Sequence, residues 1–387
     1  MHIVIAPDSF KGTLSSEQII EIVSDEARRH FPDARITGIP IADGGEGTVH
    51  AVLASRSGIL RNVSVKNPLF ETMKASYGIL ENSSGKPSAI IEMAAASGLP
   101  LLSASQRSAL TTTSYGTGEL IADALKQGIR HITIAIGGSA TNDGGMGAMA
   151  ALGFRFLDKD DKEVTPTGEN LIHVSRIDTS SVLPELTEDI SFTVMCDVRS
   201  PFCGPNGATY TYGPQKGADK EQLDLLEQGM LHFAEIIKRD LGKDIRDVEG
   251  AGAAGGLGGA LCAFLGGSLK SGIQTLLELV QFETLIKDAD IIISGEGCAD
   301  GQSAQGKVLW GIGTSAKKLG VPVIAMVGGM RPDAKLLYDC GITAIVPALN
   351  RAMSLTEVFR HSKNLLRDAA ERTFLLLKAG MALNSKK

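Results

Sequence analysis

The sequence predicts an α/β protein in which short buried strands alternate with helices. Five apolar runs each lead to an acidic residue set among small residues, at 3–7, 39–42, 132–136, 192–196 and 291–294. Helical patterns, with apolar residues three and four positions apart, follow several of these runs. The alternation occupies both ends of the chain, whereas closely spaced strand patterns occupy part of the middle. We therefore expect a parallel-sheet domain made of both chain ends, with a mixed α/β domain inserted between them.

The composition is that of a globular protein of 387 residues, 43% hydrophobic and 21% charged. This length predicts two domains. The net charge of −6 and the lack of a basic block argue against nucleic acid or a membrane surface as partner. The N-terminus leads directly into a strand, unlike a signal peptide, and no apolar run is long enough to span a bilayer. Five scattered cysteines without a CxxC pair predict neither a zinc site nor a disulfide framework, and they favour a cytoplasmic location.

The first 55 residues predict a βαβ unit and a further helix. After strand 3–7, Ser15-x-x-Gln18 forms a capping box that begins a helix with apolar residues at 20, 23, 27 and 31. A second strand at 35–42 closes the unit, and residues 43–47 turn into a helix at 48–54.

The middle of the chain predicts a different arrangement. Runs at 60–65, 74–80 and 88–93 are close enough for hairpins but not for helical crossovers. A helix at 115–127 follows, and then strand 132–136, which opens into the glycine-rich turn 137–147. The pattern leaves open whether this strand belongs to the insert or to the first sheet.

The βα alternation resumes towards the C-terminus. It predicts strands at 290–294, 321–327 and 344–347, a helix at 307–319, and a final helix that ends near Lys378. We therefore assign residues 1–55 and 285–387 to one discontinuous domain and residues 56–284 to the insert, and we expect the active site in the cleft between them.

Acidic residues at several strand ends predict a site for a polyanion with Mg²⁺. The carboxyl ends of parallel strands line one crevice, where ligands bind. Carboxylates gathered there repel one another unless a cation compensates their charge. Each acid alone could equally be a helix N-cap, so the prediction depends on their co-occurrence. The candidates are Asp8, Asp43, Asp143, Asp197, Glu296 and Asp300.

Glycine-rich turns at 137–147 and 295–297 are candidates for a phosphate cradle, because glycine lets the backbone N–H groups approach an anion. Lys11, Lys216 and Lys307 lie beside such turns and would neutralise phosphate charge. The motifs of P-loop enzymes and protein kinases are absent. The glycines of 250–259 resemble a dinucleotide-binding fingerprint, but no strand precedes them.

Nine strings occur in order along the chain, including IVIAPDSFKGTLS (3–15), IPIADGGEGT (39–48), IAIGGSATNDGGMG (134–147), CDVRSPFCGPNGA (196–208) and ISGEGCADGQSAQGK (293–307). Together they resemble the glycerate kinase family of bacterial sugar-diacid and glyoxylate pathways. The resemblance implies ATP- and Mg²⁺-dependent phosphorylation of D-glycerate. It favours 2-phosphoglycerate as the product, with 3-phosphoglycerate as the alternative. It also implies two α/β domains, one of them Rossmann-like and discontinuous.

The resemblance and the strand-end pattern together suggest a role for each candidate residue. For catalysis we expect Asp197 as the base, Asp43 as the second choice, and Lys11 or Lys216 near the glycerate carboxylate. We expect the substrate to contact Asp8, Ser9, Gly44, Gly45 and Glu46. We expect ATP to contact Gly137, Gly138, Ser139, Thr141, Asn142, Gly144, Gly295, Gly297 and Lys307. The expected Mg²⁺ ligands are Asp300, Glu296 and Asp143.

One departure from the family pattern lies in the last string. Cys298-Ala299 stand where the family typically has an arginine and an aliphatic residue. A positive charge is therefore missing beside the expected phosphate region, so either another lysine or arginine replaces it or activity is lower.

Other functions remain open on the sequence alone. They are a dinucleotide oxidoreductase that uses 250–259 and a non-catalytic sensor of glycerate or a sugar acid. We expect a small-molecule substrate, no nucleic acid and no membrane, and a homodimer is compatible with the sequence.

Overall fold

A computed structural model describes residues 1–42, 44–81 and 85–384, and it confirms the predicted α/β fold class. The strands are β1 (His2–Pro7), β2 (Arg35–Gly38), β3 (Gly58–Lys66), β4 (Thr72–Leu80), β5 (Ser88–Glu92), β6 (His131–Ala135), β7 (Arg155–Leu157), β8 (Arg176–Asp178), β9 (Ser191–Met195), β10 (Ser268–Lys270), β11 (Ile291–Ala299), β12 (Val323–Met330) and β13 (Ala344–Pro347). The α-helices are α1 (Ser16–His30), α2 (Thr48–Ser55), α3 (Ala94–Ser97), α4 (Tyr115–Lys126), α5 (Met146–Ala151), α6 (Ala208–Tyr212), α7 (Lys220–Leu241), α8 (Leu257–Leu265), α9 (Gly272–Leu279), α10 (Phe282–Leu285), α11 (Val308–Leu319), α12 (Leu336–Asp339) and α13 (Leu355–Asn384). None of the described helices is both long and apolar enough to cross a membrane.

The chain forms two compact units. The first unit contains Met1–Asp43, His50–Ser55 and Ile273–Lys387, and the second contains Gly44–Val49 and Arg56–Gly272. The return to the first unit comes earlier in the chain than the expected boundary at 284/285. The physical reason is packing, because Ile273 and Leu277 of α9 lie against Gly311 of α11.

The first unit is built on a parallel sheet in the order β13-β12-β11-β1-β2. Residues such as Ile5 and Ile293 pack on one face against apolar residues of α1 and α13. The alternate residues Val4 and Ile292 are also fully buried. This pattern is expected of a parallel sheet with both faces covered. The predicted capping box forms, with the Gln18 N–H donating to Ser15 Oγ at 3.3 Å.

Two strand ends of the first unit differ from the prediction. β2 ends at Gly38, although the N–H groups of Ile39 and Ile41 still donate to carbonyls of β1. β11 continues to Ala299 because β12 pairs beside it as far as Met330. Residues 295–297, which we expected in a turn, are therefore strand residues.

The second unit contains a mixed sheet in the order β10-β9-β6-β5-β4-β3. The strands from β10 to β5 are parallel, whereas β4 and β3 pair antiparallel, which confirms the predicted hairpins. The question of strand 132–136 is also answered, because β6 lies between β5 and β9 and so belongs to the second unit. Its isoleucines enter a core shared with α4, α5 and α8.

Candidate active site

The charged residues of the first unit meet at the carboxyl ends of β1 and β11. β1 ends at Pro7 and leads into Asp8, while Glu296 lies near the end of the neighbouring strand β11. From β1 the chain continues to β2 on one side, and from β11 it continues to β12 on the other. This pair of strands is therefore the topological switch point of the sheet, where open α/β sheets bind ligands.

A cavity of about 530 Å³ lies at this edge of the first unit. Its lining includes six of the residues that the sequence singled out, namely Asp8, Ser9, Lys11, Glu296, Gly297 and Lys307. These residues are far apart in the chain, and the parallel pairing of β1 with β11 brings them together. The cavity also contains residues that we had not predicted, from the segment between β13 and the first turns of α13. The sequence signal that could have identified them is a segment with several apolar residues soon after a predicted strand.

Glu296 is an acid of this cavity whose pKa is strongly shifted. Its side chain lines the cavity although only 8% of the residue is exposed. Burial raises the pKa of its carboxyl to about 7, and the hydrogen bond from Ser303 and the charge of Lys307 oppose this rise. The negative charges of Asp8 and Asp300 raise the pKa further. Among the described residues, Glu296 Oε1 has no hydrogen-bond partner. A buried acceptor in this state is suited to an incoming cation or donor.

The neighbouring acids are held by local hydrogen bonds. Asp8 Oδ1 accepts from the Ser9 N–H at 2.6 Å. Asp300 Oδ1 accepts from the N–H groups of Gln302 and Ser303, at 3.0 and 3.2 Å. These bonds order the loop that leads to Lys307, whose Nζ lies 3.3 Å from Gln302 Oε1.

The donor set of this cavity fits Mg²⁺ only in part. No group of three or more His, Cys, Asp or Glu side chains in the described part of the chain is arranged to hold a metal ion. Mg²⁺ in phosphate-handling sites is usually held by one or two carboxylates, with phosphate and water oxygens completing the shell. Glu296 has an unpartnered oxygen, and it lies near enough to Asp8 for the charge of Asp8 to raise its pKa. These two carboxylates meet this smaller requirement.

The glycine-rich turn of the second unit is largely internal. Gly138 is exposed, Gly137 is half-buried and Ser139 is nearly buried. By contrast Thr141 and Asn142 are completely buried, and Gly144 is also buried. The last three residues therefore lie in the interior of the second unit in this structure.

Close packing explains the glycines at the end of this turn. A Cβ at Gly145 would lie 2.4 Å from the Cβ of Ala260, and one at Gly147 would lie 2.2 Å from Oγ1 of Thr113. The Gly144 N–H donates to the carbonyl of Gly255, within the glycine-rich run 250–259. That run is therefore a packing partner of the turn, and its resemblance to a dinucleotide fingerprint has no structural counterpart.

Asp143 holds this turn together. Its Oδ2 accepts from the Ser114 N–H at 2.7 Å, the Ser114 hydroxyl at 2.8 Å and the Gly147 N–H at 3.2 Å, while Oδ1 accepts from the Gly145 N–H at 3.1 Å. The carboxyl is completely buried, and burial raises its pKa against the effect of these donors. In this structure its oxygens are therefore engaged by donors of the interior, and its expected role as a Mg²⁺ ligand stays a prediction.

Lys216 is another expected site residue that is buried in this structure. Only 1% of it is exposed, and its Nζ donates to the carbonyl of Thr141 at 2.6 Å. Burial lowers its pKa to about 7, and the charge of Asp143 opposes this shift. The lysine holds the glycine-rich turn from inside, and in this structure it does not reach a ligand surface.

Three further predicted residues, Gly44, Gly137 and Asp197, lie at the carboxyl ends of β6 and β9 in the second unit. The Gly137 N–H donates to the Gly44 carbonyl at 3.2 Å, and a Cβ at Gly44 would lie 3.2 Å from the Cβ of Met195. Asp197 follows β9, is exposed, and accepts from the Gly272 N–H at 2.7 Å and the Ser271 hydroxyl at 3.3 Å.

Other expected residues lie beside this group or elsewhere in the chain. Gly45 and Glu46 follow Gly44 at the surface, whereas Asp43 lies outside the described residues. Gly295 lies within β11 of the first unit and is not part of a turn.

Residues 3–378 match the model of the glycerate kinase family. The chain is 44% identical over 381 residues to the glycerate 2-kinase of Escherichia coli K12, which covers 98% of this chain and 99% of that protein. It is 43% identical over 377 residues to the glycerate kinase of Haemophilus influenzae Rd, which covers 97% and 99%.

A solved structure gives the same result at the level of the fold. A crystal structure from Salmonella typhimurium LT2, described as a candidate glycerate kinase 2, superimposes with a TM-score of 0.85 at 40% identity and covers 99% of both chains. With its full-length family match and relatives above 40% identity, this chain belongs to the glycerate kinase family.

Proposed function

We propose that the protein transfers the γ-phosphoryl group of ATP to the 2-hydroxyl of D-glycerate, with Mg²⁺ as the cation. The observation that carries this proposal is the meeting of Asp8, Glu296, Lys11 and Lys307 in one cavity at the switch point of a parallel sheet. Phosphoryl transfer depends mainly on positioning and on charge stabilisation, and these residue types supply both. Membership of the glycerate kinase family supports the acceptor.

In the first unit, we assign the lysines to the phosphates and the acids to the cation. Lys11 and Lys307 place two positive side chains on the cavity that contains Glu296. They supply the charge that the missing arginine at position 298 would have provided. Mg²⁺, when bound, would neutralise phosphate charge. Asp8 and Glu296 would hold it, while Asp300 orders the loop that carries Lys307.

In the second unit, we assign the role of general base to Asp197. A base must be held in place within hydrogen-bond reach of the proton that it removes. The Gly272 N–H and the Ser271 hydroxyl fix Asp197 Oδ1, and the residue remains exposed. Asp43 remains the second choice as a prediction, since it lies outside the described residues.

The base assignment is tested by Asp197→Asn. Removal of a general base typically lowers the rate by about 10²- to 10⁴-fold, so we expect a loss of kcat in this range in a coupled assay for ADP. Asp189→Asn is the matched control, because Asp189 is exposed just before the opposite end of β9. Turnover of Asp197→Asn near that of the wild type would overturn the assignment.

The position of phosphorylation is tested separately. The name of the Escherichia coli relative supports the 2-hydroxyl. We expect the NMR spectrum of the product from ATP and D-glycerate to show phosphorus coupled to the proton on C2. Coupling to the C3 protons would overturn the position while leaving the kinase activity intact. Absence of Mg²⁺-dependent ADP release would overturn the proposed function itself and favour a non-catalytic binding protein.

A further inference from the structure

The cavity of the first unit has two walls of different chemistry. Its charged residues come from the segments that end β1 and β11, whereas most of its apolar residues follow β13. In the sheet, β12 lies between β11 and β13 and contributes Gly328 and Gly329 to the lining. The charged wall and the apolar wall therefore follow strands that β12 separates in the sheet. The apolar wall consists of Leu349, Met353, Leu355, Val358 and Phe359.

The apolar wall is open to solvent. Leu355 is 75% exposed and Phe359 is 55% exposed, and both line the cavity. Exposed large apolar side chains that border a cavity indicate a surface for a ligand. A three-carbon hydroxy acid has little apolar surface for such a wall. A nucleoside triphosphate has a flat base at one end and a polyanion at the other, which matches both walls.

We propose that this cavity is the nucleotide site, with the purine ring on the apolar wall and the phosphates at Lys11 and Lys307. This assignment rests on the proposed function, because it takes the phosphoryl donor to be ATP. The cavity volume lies within the range of about 300–1,000 Å³ that is usual for small-molecule sites. The unpartnered oxygen of Glu296 lies on the phosphate side, where a cation or a donor would accompany the polyanion.

Cys298 provides a reporter inside the cavity. Glu296 and Cys298 are two positions apart on β11 and both line the cavity, as the alternation of side chains along a strand requires. Cys298 is exposed, whereas the other four cysteines are partly or fully buried. Burial raises the pKa of Cys196 to about 11 and that of Cys203 to about 12, which slows their alkylation.

The experiment measures alkylation of the full-length protein by iodoacetamide. The Cys298 thiolate displaces iodide to form a thioether, its proton goes to water, and peptide mass spectrometry gives the rate at each cysteine. ADP at ten times its Kd leaves about a tenth of the sites open, so we expect the rate at Cys298 to fall about tenfold. We expect D-glycerate alone to leave this rate unchanged, and the other four cysteines serve as internal controls.

Phe359→Ala tests the placement of the base. Loss of an aromatic contact to a base usually weakens binding by roughly 5- to 150-fold, so half-protection should require that much more ADP. Protection by tripolyphosphate, which has no base, should be the same in the variant and the wild type. Leu376→Ala is the control, because Leu376 is 71% exposed on the same helix but does not line the cavity. In this variant ADP should protect Cys298 at the same concentrations as in the wild type.

The outcomes separate this inference from the proposed function. Mg²⁺-dependent kinase activity without protection of Cys298 by ADP would overturn the nucleotide site and leave the function standing. Equal effects of Phe359→Ala on ADP and tripolyphosphate would overturn the placement of the purine. Protection by ADP in a protein that fails to phosphorylate D-glycerate would support the site while refuting the acceptor.

Discussion

Replacing Glu296 with glutamine should make the free protein more stable and less active. The carboxyl of Glu296 has a pKa of about 7, raised from its ordinary value of 4.5 chiefly by burial. The difference between these two pKa values, at about 1.36 kcal/mol for each pH unit, makes the buried charge cost about 3 kcal/mol of folding stability. The residue is 8% exposed, so solvent screening reduces this figure little. Glutamine keeps the shape of the side chain and cannot ionise.

The sign of the effect follows from linkage. Below pH 4.5 the carboxyl is protonated in both the folded and the unfolded protein, so it contributes no difference. Between pH 4.5 and about 7 the folded protein binds more protons than the unfolded protein, and stability falls as the pH rises. Above pH 7 the whole cost of the buried charge is present. The gain in the free energy of unfolding from Glu296→Gln should therefore be near zero at pH 4.5 and reach up to about 3 kcal/mol at pH 8.

The assay is thermal unfolding in EDTA at pH 5 and pH 8, followed by circular dichroism. A change of 1 kcal/mol moves the midpoint by about 2–4 °C for a domain of this size. Glu283→Gln is the control, since Glu283 is half-exposed in a surface ion pair with Lys318 that contributes at most about 1 kcal/mol. A stability gap that does not grow between pH 5 and pH 8 would refute the reasoning. At pH 8 we expect kcat/KM for MgATP to fall about 10- to 100-fold in the same variant.

Three further changes test other parts of the molecule. Asp143→Ala should lower the free energy of unfolding by several kcal/mol, because each buried donor left unpaired costs about 1–3 kcal/mol. Urea titration of this variant and of Asp143→Asn, each compared with the wild type, would measure the loss. Between pH 7 and about 10 the wild type should become more stable as the pH rises, because Lys216 binds a proton in the unfolded protein but not in the folded one. Lys216→Met should remove this rise. Parallel curves of unfolding free energy against pH for the two proteins would contradict the prediction. Cys298→Arg should leave the KM for ATP unchanged, because Lys11 and Lys307 already supply the positive charge of the cavity, and a fall of about 10- to 100-fold would contradict this assignment.

The sequence by itself determined the fold class and the family, and it predicted acidic residues at strand ends. Hydrophobic periodicity is local, so the strand at 3–7 and the capping box at Ser15 could be recognised within a few residues. The acids at strand ends could be placed together because parallel strands share one carboxyl edge. Asp8 and Glu296 do meet in this way, although about three quarters of the chain's length separates them.

Only the tertiary structure decided which polar residues line a cavity and which are buried. Asp143 and Lys216 belong to strings that read as site residues, yet packing between distant segments buries both of them. The extension of β11 to Ala299 depends on pairing with β12, and the apolar wall is formed by a segment some fifty residues after Glu296. Burial and solvent exposure are set by contacts between residues that are remote in the chain. A local pattern can therefore identify a residue's chemistry but not the environment that determines its use.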